Sequence, residues 1–459
     1  MNYIFEKLRD EYPEFIYKSF DLKIKGNEVF IQFHFYQSEE LQFYPTLKLQ
    51  LPDNRKYNNL KADKLQTAVF NIGMIELISY WKACASPKIT IEAGHLDEKQ
   101  LEFWNEVYYQ GLGEFLYVNK IAISRDKLFT IHTNSRKKHH AEQFEMGDGN
   151  IIPIGGGKDS VVSLEMLAGT PERNYCFLLN PVKAARDTAE TAGYTPERTI
   201  LVERKLDPKL LELNSQGFLN GHTPFSALLA FVSSFAAIIY ECKNIVLSNE
   251  NSASEGNLFY NDMNVNHQYS KSFDAEKRIH DYLQQYVSPQ LNYFSLLRPL
   301  YEMQIAKLFS RHEKYHAIFR SCNKGSKLNI WCGSCSKCLF VYLILSPFVF
   351  DEKLNAIFGQ NLLENAALIP TFHAMLGLKE NKPFDCVGTY REVKISAALL
   401  LRSYRIRNKK LPALLADFES RYGAEVGQLV QEANRLLLNY NSDNLLDREY
   451  SEIIRKHLV

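Results

Sequence analysis

Apolar and polar residues alternate with a period of two through residues 20–25, 28–36 and 42–50. Successive side chains of a strand point to opposite faces, so these segments read as half-buried strands with turns at Gly26-Asn27 and near Ser38-Glu39. The run Leu51-Pro52-Asp53-Asn54 breaks the pattern. Over 62–84 the period becomes helical: Leu65, Val69, Ile72, Ile75 and Ile78 recur on one face, Glu76 and Tyr80 sit one turn apart, and Ser86-Pro87 ends the helix. A short strand (89–92) and a helix from the cap-like Asp97 through Tyr109 follow, then Gly111-Leu112-Gly113-Glu114-Phe115. Residues 133–149 are polar and rich in Lys, His, Asp and Gly, which reads as a linker.

Beyond it strands and helices alternate. The strand 151–154 runs into Gly155-Gly156-Gly157-Lys158-Asp159-Ser160, and a helix follows with Val161, Leu164, Met166 and Leu167 on or near one face and Gly169 as its stop. Further strands are expected at 175–180 (ending at Pro181), 199–203 and 244–248, the last continuously apolar and therefore mid-sheet. Gly221-His222-Thr223-Pro224 introduces an apolar helix over 225–240. This order implies an α/β fold: a parallel sheet with helices on both faces, preceded by an α+β domain and followed by a helical region. The expected divisions are 1–145, 146–345 and 346–459. Helices are expected at 352–358, 360–368, 371–375, 395–405, 411–422, 425–440 and 445–457, interrupted by the non-helical 381–389.

Ligands of such sheets bind at the carboxyl ends of the strands. Three segments would meet there: the loop 155–160, the strand end Leu179-Asn180, and Ser248-Asn249-Glu250-Asn251-Ser252. The last reads otherwise as a polar surface loop. Strand, glycine loop and helix start together form a phosphate cradle, because glycines permit close backbone approach and free N–H groups meet the anion. Asp159 suits Mg²⁺ between itself and phosphate, or orients the loop. The spacing is neither Walker A nor GxGxxG, and a ligand-free glycine turn is the alternative. Four cysteines, Cys322, Cys332, Cys335 and Cys338, form interlocked CxxC steps suited to a tetrahedral structural metal, zinc by its ligand set; a redox CxxC or a sulfur-carrying thiol is the alternative. Cys386 beside Asp385 in a Pro/Gly-bounded loop is a base, a nucleophile or an inert buried thiol.

Composition narrows the partners. A net charge of +1 over 459 residues argues against a nucleic-acid backbone. The apolar run 224–240 contains Ser226, Ser233 and Ser234 and lacks basic flanks, so it reads as a buried helix and no membrane partner is expected. Eight cysteines behind an N-terminus with no apolar signal core suggest a reducing cytoplasm. Oligomeric state is not readable.

The string GGGKDS (155–160) resembles the SGGxDS loop of the ATP pyrophosphatase (PP-loop) superfamily, with Gly155 where that family usually has Ser. CGSCSKC (332–338) and LRPLYE (297–302) are similar to the zinc clip of 7-cyano-7-deazaguanine synthase, another PP-loop enzyme, and to the segment before it. Over most of its length the chain resembles a further PP-loop family, the UDP-N-acetylmuramoyl-L-alanyl-L-glutamate epimerases of bacterial cell-wall synthesis. The matching strings are FNIGMIELISYWKA (70–83), GLGEFLYVN (111–119), GGGKDS, NGHTPFSA (220–227), SNENSASEGN (248–257), CGSCSKC and KPFDCVGT (382–389).

That resemblance implies ATP- and Mg²⁺-dependent inversion of the terminal glutamate of a UDP-sugar dipeptide, through an acyl-adenylate, with AMP and pyrophosphate released, for peptidoglycan and hence cell shape. It implies that Gly155, Gly156, Gly157 and Ser160 cradle pyrophosphate, Lys158 offsets phosphate charge and Asp159 holds Mg²⁺. Asn180 would lie near adenine, Asn249, Glu250 and Asn257 would line the cleft, and Arg298 would fork onto a phosphate or carboxylate. For proton transfer Cys386 ranks first, with Asp385, Glu76 and His222 as rivals; Glu76 reads otherwise as a core carboxylate and His222 as a cap of the helix at Pro224. The readings outside this family are a PP-loop amide-, nitrile-forming or thiolation enzyme and a non-catalytic ATP-binding scaffold.

Overall fold

The computed structural model describes residues 3–51 and 57–458. The break expected at Pro52-Asp53-Asn54 lies outside them. The strands are β1 (Glu14–Lys25), β2 (Glu28–Tyr36), β3 (Gln42–Phe43), β4 (Thr46–Gln50), β5 (Lys88–Ile91), β6 (Thr130–Thr133), β7 (Gly147–Pro153), β8 (Asn174–Leu179), β9 (Thr199–Lys205), β10 (Cys242–Leu247), β11 (Leu258–Tyr260), β12 (Met263–Val265) and β13 (Asn292–Ser295). Eleven of them share one sheet among the described residues, in the order β13-β10-β7-β8-β9-β4-β2-β1-β5-β6, with β3 on β2. The run from β13 to β9 is parallel, and the antiparallel pair β9–β4 welds it to the N-terminal strands. The sheet therefore takes strands from both sides of residue 146.

Alternation along the parallel strands sorts side chains between two cores. Ile151, Phe177, Ile245 and Tyr293 join the cluster that holds helices Gln66–Trp81 and Phe225–Ile239. Their neighbours Ile152, Leu178, Val246 and Phe294 join the cluster that holds helices Lys158–Met166, Glu302–Ser310, Ser336–Leu345 and Tyr390–Ile406. The period-2 reading and the buried, all-apolar strand reading thus describe one geometry. The C-terminal helix Arg448–Leu458 belongs to the second core, where Tyr450 donates from its hydroxyl to Asn150 Oδ1 at 2.5 Å and packs on Phe294.

Several elements depart from the sequence reading: the strand expected at 42–50 is split into β3 and β4, and β7 begins at Gly147, inside the stretch read as a linker. A first helix, Tyr3–Glu11, precedes β1. The helix expected at 360–368 is two short 3₁₀ turns, Leu362–Glu364 and Ala366–Leu368. Asn361 and Asn365 each accept from the backbone N–H two residues on, so side-chain caps replace the helical ladder.

The connection from β7 through helix 158–166 leads outward to β8 and β9. The chain then returns through helix 225–239 to β10, on the other side of β7. Strand order reverses at β7, so a crevice opens at the carboxyl ends of β7 and β10, where an open α/β sheet binds its ligand.

Candidate functional site

A cavity of about 480 Å³ occupies that crevice. Gly155, Gly157, Asp159 and Ser160 line it after β7, and Ser248, Asn249 and Glu250 after β10. Ser321, Cys322 and Lys337 face it from the cysteine-rich segment, and Lys271 and Cys386 close it. The glycine loop is shaped for close approach. Gly156 has φ +83°, and a Cβ there would sit 2.6 Å from the backbone of Ala184 and Ala185. Gly155 has open space around it, so a serine would fit. Gly157 caps the helix 158–166 in extended conformation, leaving its first N–H groups at the cavity. Arg320 N–H donates to Gly156 O at 2.9 Å and ties the loop to the cysteine-rich segment.

Lys158 does not face the cavity. Its side chain is 3% exposed, and its ammonium bridges Asp159 and Glu302. Burial opposes that charge, but Asp159 and Glu302 more than offset it and hold the ammonium well above its usual pKa. Positive charge at the cavity comes instead from Lys271, Lys337 and Arg320. Burial lifts Glu302 to about 7, and burial with Asp159 close by raises Glu250. Asp159 resists the same burial because Lys158 and Lys337 lie near it, and its pKa falls. Carboxylate oxygens of Asp159, Glu250 and Glu302 lie within 4.8 Å of one another. Asp159 and Glu250 line the cavity and Glu302 does not, so these two carboxylates could hold Mg²⁺, which needs only one or two beside phosphate oxygens. Asn249 is buried, and its Nδ2 has no hydrogen-bond partner among the described residues.

Cys386 lies at the far wall in a charged nest. Lys271 Nζ donates to its Sγ at 3.3 Å, and His267, which bonds Glu114 through Nδ1, stands beside it as a second positive partner. Burial alone would push this thiol up, yet Lys271, His267 and Lys337 hold it at about 5. Burial alone would lower His267; the bonds to Cys386 and Glu114 lift it to about 9. The thiolate and imidazolium are therefore each the other's counter-ion. His222 lies with its ring 4.4 Å from His267, and burial together with His267 lowers it to about 4. It stays neutral, at the edge of this nest, and does not cap the helix that begins at Phe225.

Other expected site residues serve elsewhere. Arg298 is fully buried, and its guanidinium is consumed by Glu276 (3.0 and 2.7 Å) and by the carbonyls of Glu250 and Lys271 (2.6 Å each). It forks onto a carboxylate of its own chain and fixes two cavity-lining backbones. Glu76 is likewise a core carboxylate, paired with Arg204 at 2.8 Å. Asp385 is not among the lining residues; its oxygens are taken by Asn323, at the cavity edge, and by Ser336. Asn180, with φ +46°, exchanges hydrogen bonds with the backbone of Arg204 at 2.7 Å and lines a separate hollow beside Lys48 and Arg186. Asn257 accepts from His267 N–H at 2.7 Å and donates to Pro383 O at 2.8 Å, so it joins the His267 and Cys386 loops without lining the cavity. Lys271, His267, Glu114, Glu302 and Lys337 were not singled out from sequence. Glu114, Glu302 and Lys337 lie inside the matched strings, whereas nothing in the sequence around Lys271 or His267 signals them.

The four clip sulfurs converge. Cys322–Cys335, Cys332–Cys338 and Cys335–Cys338 Sγ separations are 3.9, 3.7 and 3.4 Å. A tetrahedral site with Zn–S bonds of about 2.3 Å has edges of about 3.8 Å, so these residues fit such an ion. Backbone N–H groups of Gly325 and Cys332 point at Cys322 Sγ (3.1 and 3.4 Å), as thiolate ligands require. All eight cysteines are free of disulfides. Among the described residues, no helix is long and apolar enough to cross a membrane.

Comparison with known proteins adds three findings. The MurL N-terminal domain family matches residues 6–296, and the MurL C-terminal domain family matches residues 318–426. A UDP-N-acetyl-alpha-D-muramoyl-L-alanyl-L-glutamate epimerase of Xanthomonas oryzae pathovar oryzae is 35% identical over 345 residues, 74% of this chain and 75% of its own. Proteins of the same name from a Micromonospora species and from Salinispora tropica are 34% identical over 74% of this chain and 31% identical over 82%; the alignments cover 76% and 82% of those proteins. No solved structure matches the chain.

Proposed function

Because the chain belongs to the MurL family, we propose that it is an ATP-dependent epimerase of peptidoglycan-precursor synthesis, converting the terminal L-glutamate of UDP-N-acetylmuramoyl-L-Ala-L-Glu to D-glutamate. One observation carries the reading: a glycine loop shaped for phosphate and a cysteine with acid–base partners line the same cavity. An α-carbon beside a free carboxylate resists deprotonation, because the carbanion would form next to an existing negative charge. Transfer of AMP to that carboxylate removes the charge and leaves a carbonyl that accepts the electron pair.

The residues divide this work. The backbone of Gly155–Gly157 and Ser160 hold the pyrophosphate, in the manner of a PP-loop, with Lys271, Lys337 and Arg320 supplying the positive field. Asp159 and Glu250 would hold Mg²⁺, which when bound neutralises phosphate charge. Lys158, anchored on Glu302, keeps Asp159 placed from behind. The Cys386, His267 and Glu114 cluster handles the α-proton. The four-cysteine clip would hold a structural zinc; having no open coordination position, it shapes the cavity wall and performs no chemistry.

The test follows pure protein with ATP, Mg²⁺ and the L,L-substrate in D₂O. The expected result is AMP release together with deuterium at the glutamate α-carbon. AMP without deuterium would move the reading to a ligase-like enzyme, and neither signal from folded protein would leave a nucleotide-binding scaffold.

A further inference from the structure

Proton removal from carbon needs a strong base, and the environment of Cys386 works against one. Its sulfur touches Lys271 at 3.3 Å, Lys337 reaches the backbone carbonyl of the same residue, and His267 stands beside it, held through Asn257 to the loop that carries Cys386. Cations on a thiolate weaken it as a base far more than as a nucleophile, since nucleophilicity falls only about half as steeply as basicity. The pairing of His267 with Glu114 on its other nitrogen completes the arrangement of an activated nucleophile: thiol, imidazole, orienting carboxylate.

We propose, on the adenylation reading above, that Cys386 attacks the activated glutamyl carbonyl and carries the residue as a thioester, with His267 and Lys271 exchanging the proton at its α-carbon. The sulfur lone pair forms the C–S bond while the bond from the acyl carbon to the AMP phosphate oxygen breaks, and AMP leaves with that electron pair. Acylation removes the thiolate charge. His267 then has no thiolate beside it, gives its proton to solvent and, still oriented by Glu114, becomes a neutral base. Lys271 keeps its ammonium proton. The acyl carbon now hangs from a sulfur flanked by both groups, with the α-carbon one bond further on. His267 takes the α-proton, the electron pair moves into the thioester carbonyl, and Lys271 delivers a proton to the other face. Water then attacks the thioester, the C–S bond breaks and the thiolate is restored, while solvent resets the protons on His267 and Lys271. The geometry gives two proton-transfer groups to one covalent anchor.

The test is a rapid acid quench of the enzyme turning over ATP, Mg²⁺ and UDP-N-acetylmuramoyl-L-Ala-L-Glu, followed by peptide mass spectrometry. The expected product is a hydroxylamine-labile adduct of substrate mass less water on the peptide containing Cys386. His267→Gln is expected to carry the adduct while deuterium incorporation falls about 100-fold or more. Cys386→Ser is expected to lose the labile adduct and keep substrate-dependent ATP–pyrophosphate exchange, which also reports that the variant is folded. Deuterium incorporation with no adduct in either the unmodified enzyme or His267→Gln would overturn the thioester and leave the epimerase reading standing. Absence of ATP–pyrophosphate exchange in the unmodified enzyme would overturn the adenylation reading on which the thioester rests.

Discussion

Two groups of sulfur stand on neighbouring walls of this cavity and are built for opposite ends. The clip sulfurs see chiefly one another and backbone N–H groups, at separations that match the edges of a metal tetrahedron. Cys386 sees an ammonium and an imidazolium and opens to the cavity. Residue type is the same, so the neighbours decide: sulfur around sulfur makes a closed ligand set, whereas cations around one sulfur make a standing thiolate. The two regions also touch. Asn323 and Ser336, which flank clip ligands, hold both oxygens of Asp385, and Lys337 holds the Cys386 carbonyl.

The sharpest separation of the two comes from Cys386→Ala. Exchange of the α-proton should fall about 10³-fold or more, with substrate-dependent ATP–pyrophosphate exchange retained and the thermal midpoint within a few degrees. Deuterium incorporation measured by NMR decides it, and unchanged exchange would remove Cys386 from the chemistry. The matching change in the clip, Cys335→Ser, should act on the fold. Loss of metal content by elemental analysis and a stability loss of about 4 kcal/mol or more in urea are expected. Retained stability after metal loss would mean that the clip is not structural.

The sequence carried one of these regions better than the other. Cys322, Cys332, Cys335 and Cys338 are close in the chain, so their spacing reports their geometry directly. The cradle at Gly155–Ser160 is equally local, a strand end, a turn and a helix start in one string. The Cys386 nest is assembled from three widely separated segments, Glu114, the stretch His267–Lys271 and Cys386, and no sequence pattern links them. Lys158 and Arg298 show the complementary limit. Each carries a charge that suits a phosphate, yet tertiary partners, Glu302 and Glu276, consume it inside the core. Charge type was legible and direction was not, because a long side chain reaches either face of its backbone. Similarly, Asn361 and Asn365 overrode a helical pattern at 360–368 by local capping.

Cys386 should show its cations in a pH profile. A thiol lowered from 9 to about 5 remains a thiolate between those values in the folded protein, while an unfolded cysteine is protonated below about 8.5. Alkylation of Cys386 by iodoacetamide should therefore be nearly flat from pH 8 to about 6, then fall about tenfold per unit below 5. The linked stability has the same sign: holding the thiolate favours the fold above the unfolded pKa, and that contribution is lost as pH falls through about 5. In urea the profile should revert to one rising through about 8.5. A native profile with that ordinary midpoint would erase the distinction drawn between Cys386 and an inert thiol.

The smallest change tests the joint between the two regions. Asp385→Asn keeps an acceptor toward one of Asn323 and Ser336 but loses the charge that strengthens both bonds, a change worth about 1–2 kcal/mol. Because Asp385 precedes Cys386 directly, that slack should appear as a displaced thiolate and not as a lost metal. A drop of about 3- to 10-fold in α-proton exchange is expected, with clip metal content unchanged and ATP–pyrophosphate exchange within about twofold. Asp385→Ala, which leaves Asn323 and Ser336 both unpaired, should deepen the exchange defect on the same side of the cavity. Metal loss in either variant would place Asp385 in the support of the clip itself, and the two sulfur regions would then be a single structural unit. An unchanged exchange rate in both variants would mean instead that Lys337, through the Cys386 carbonyl, is sufficient to hold the loop.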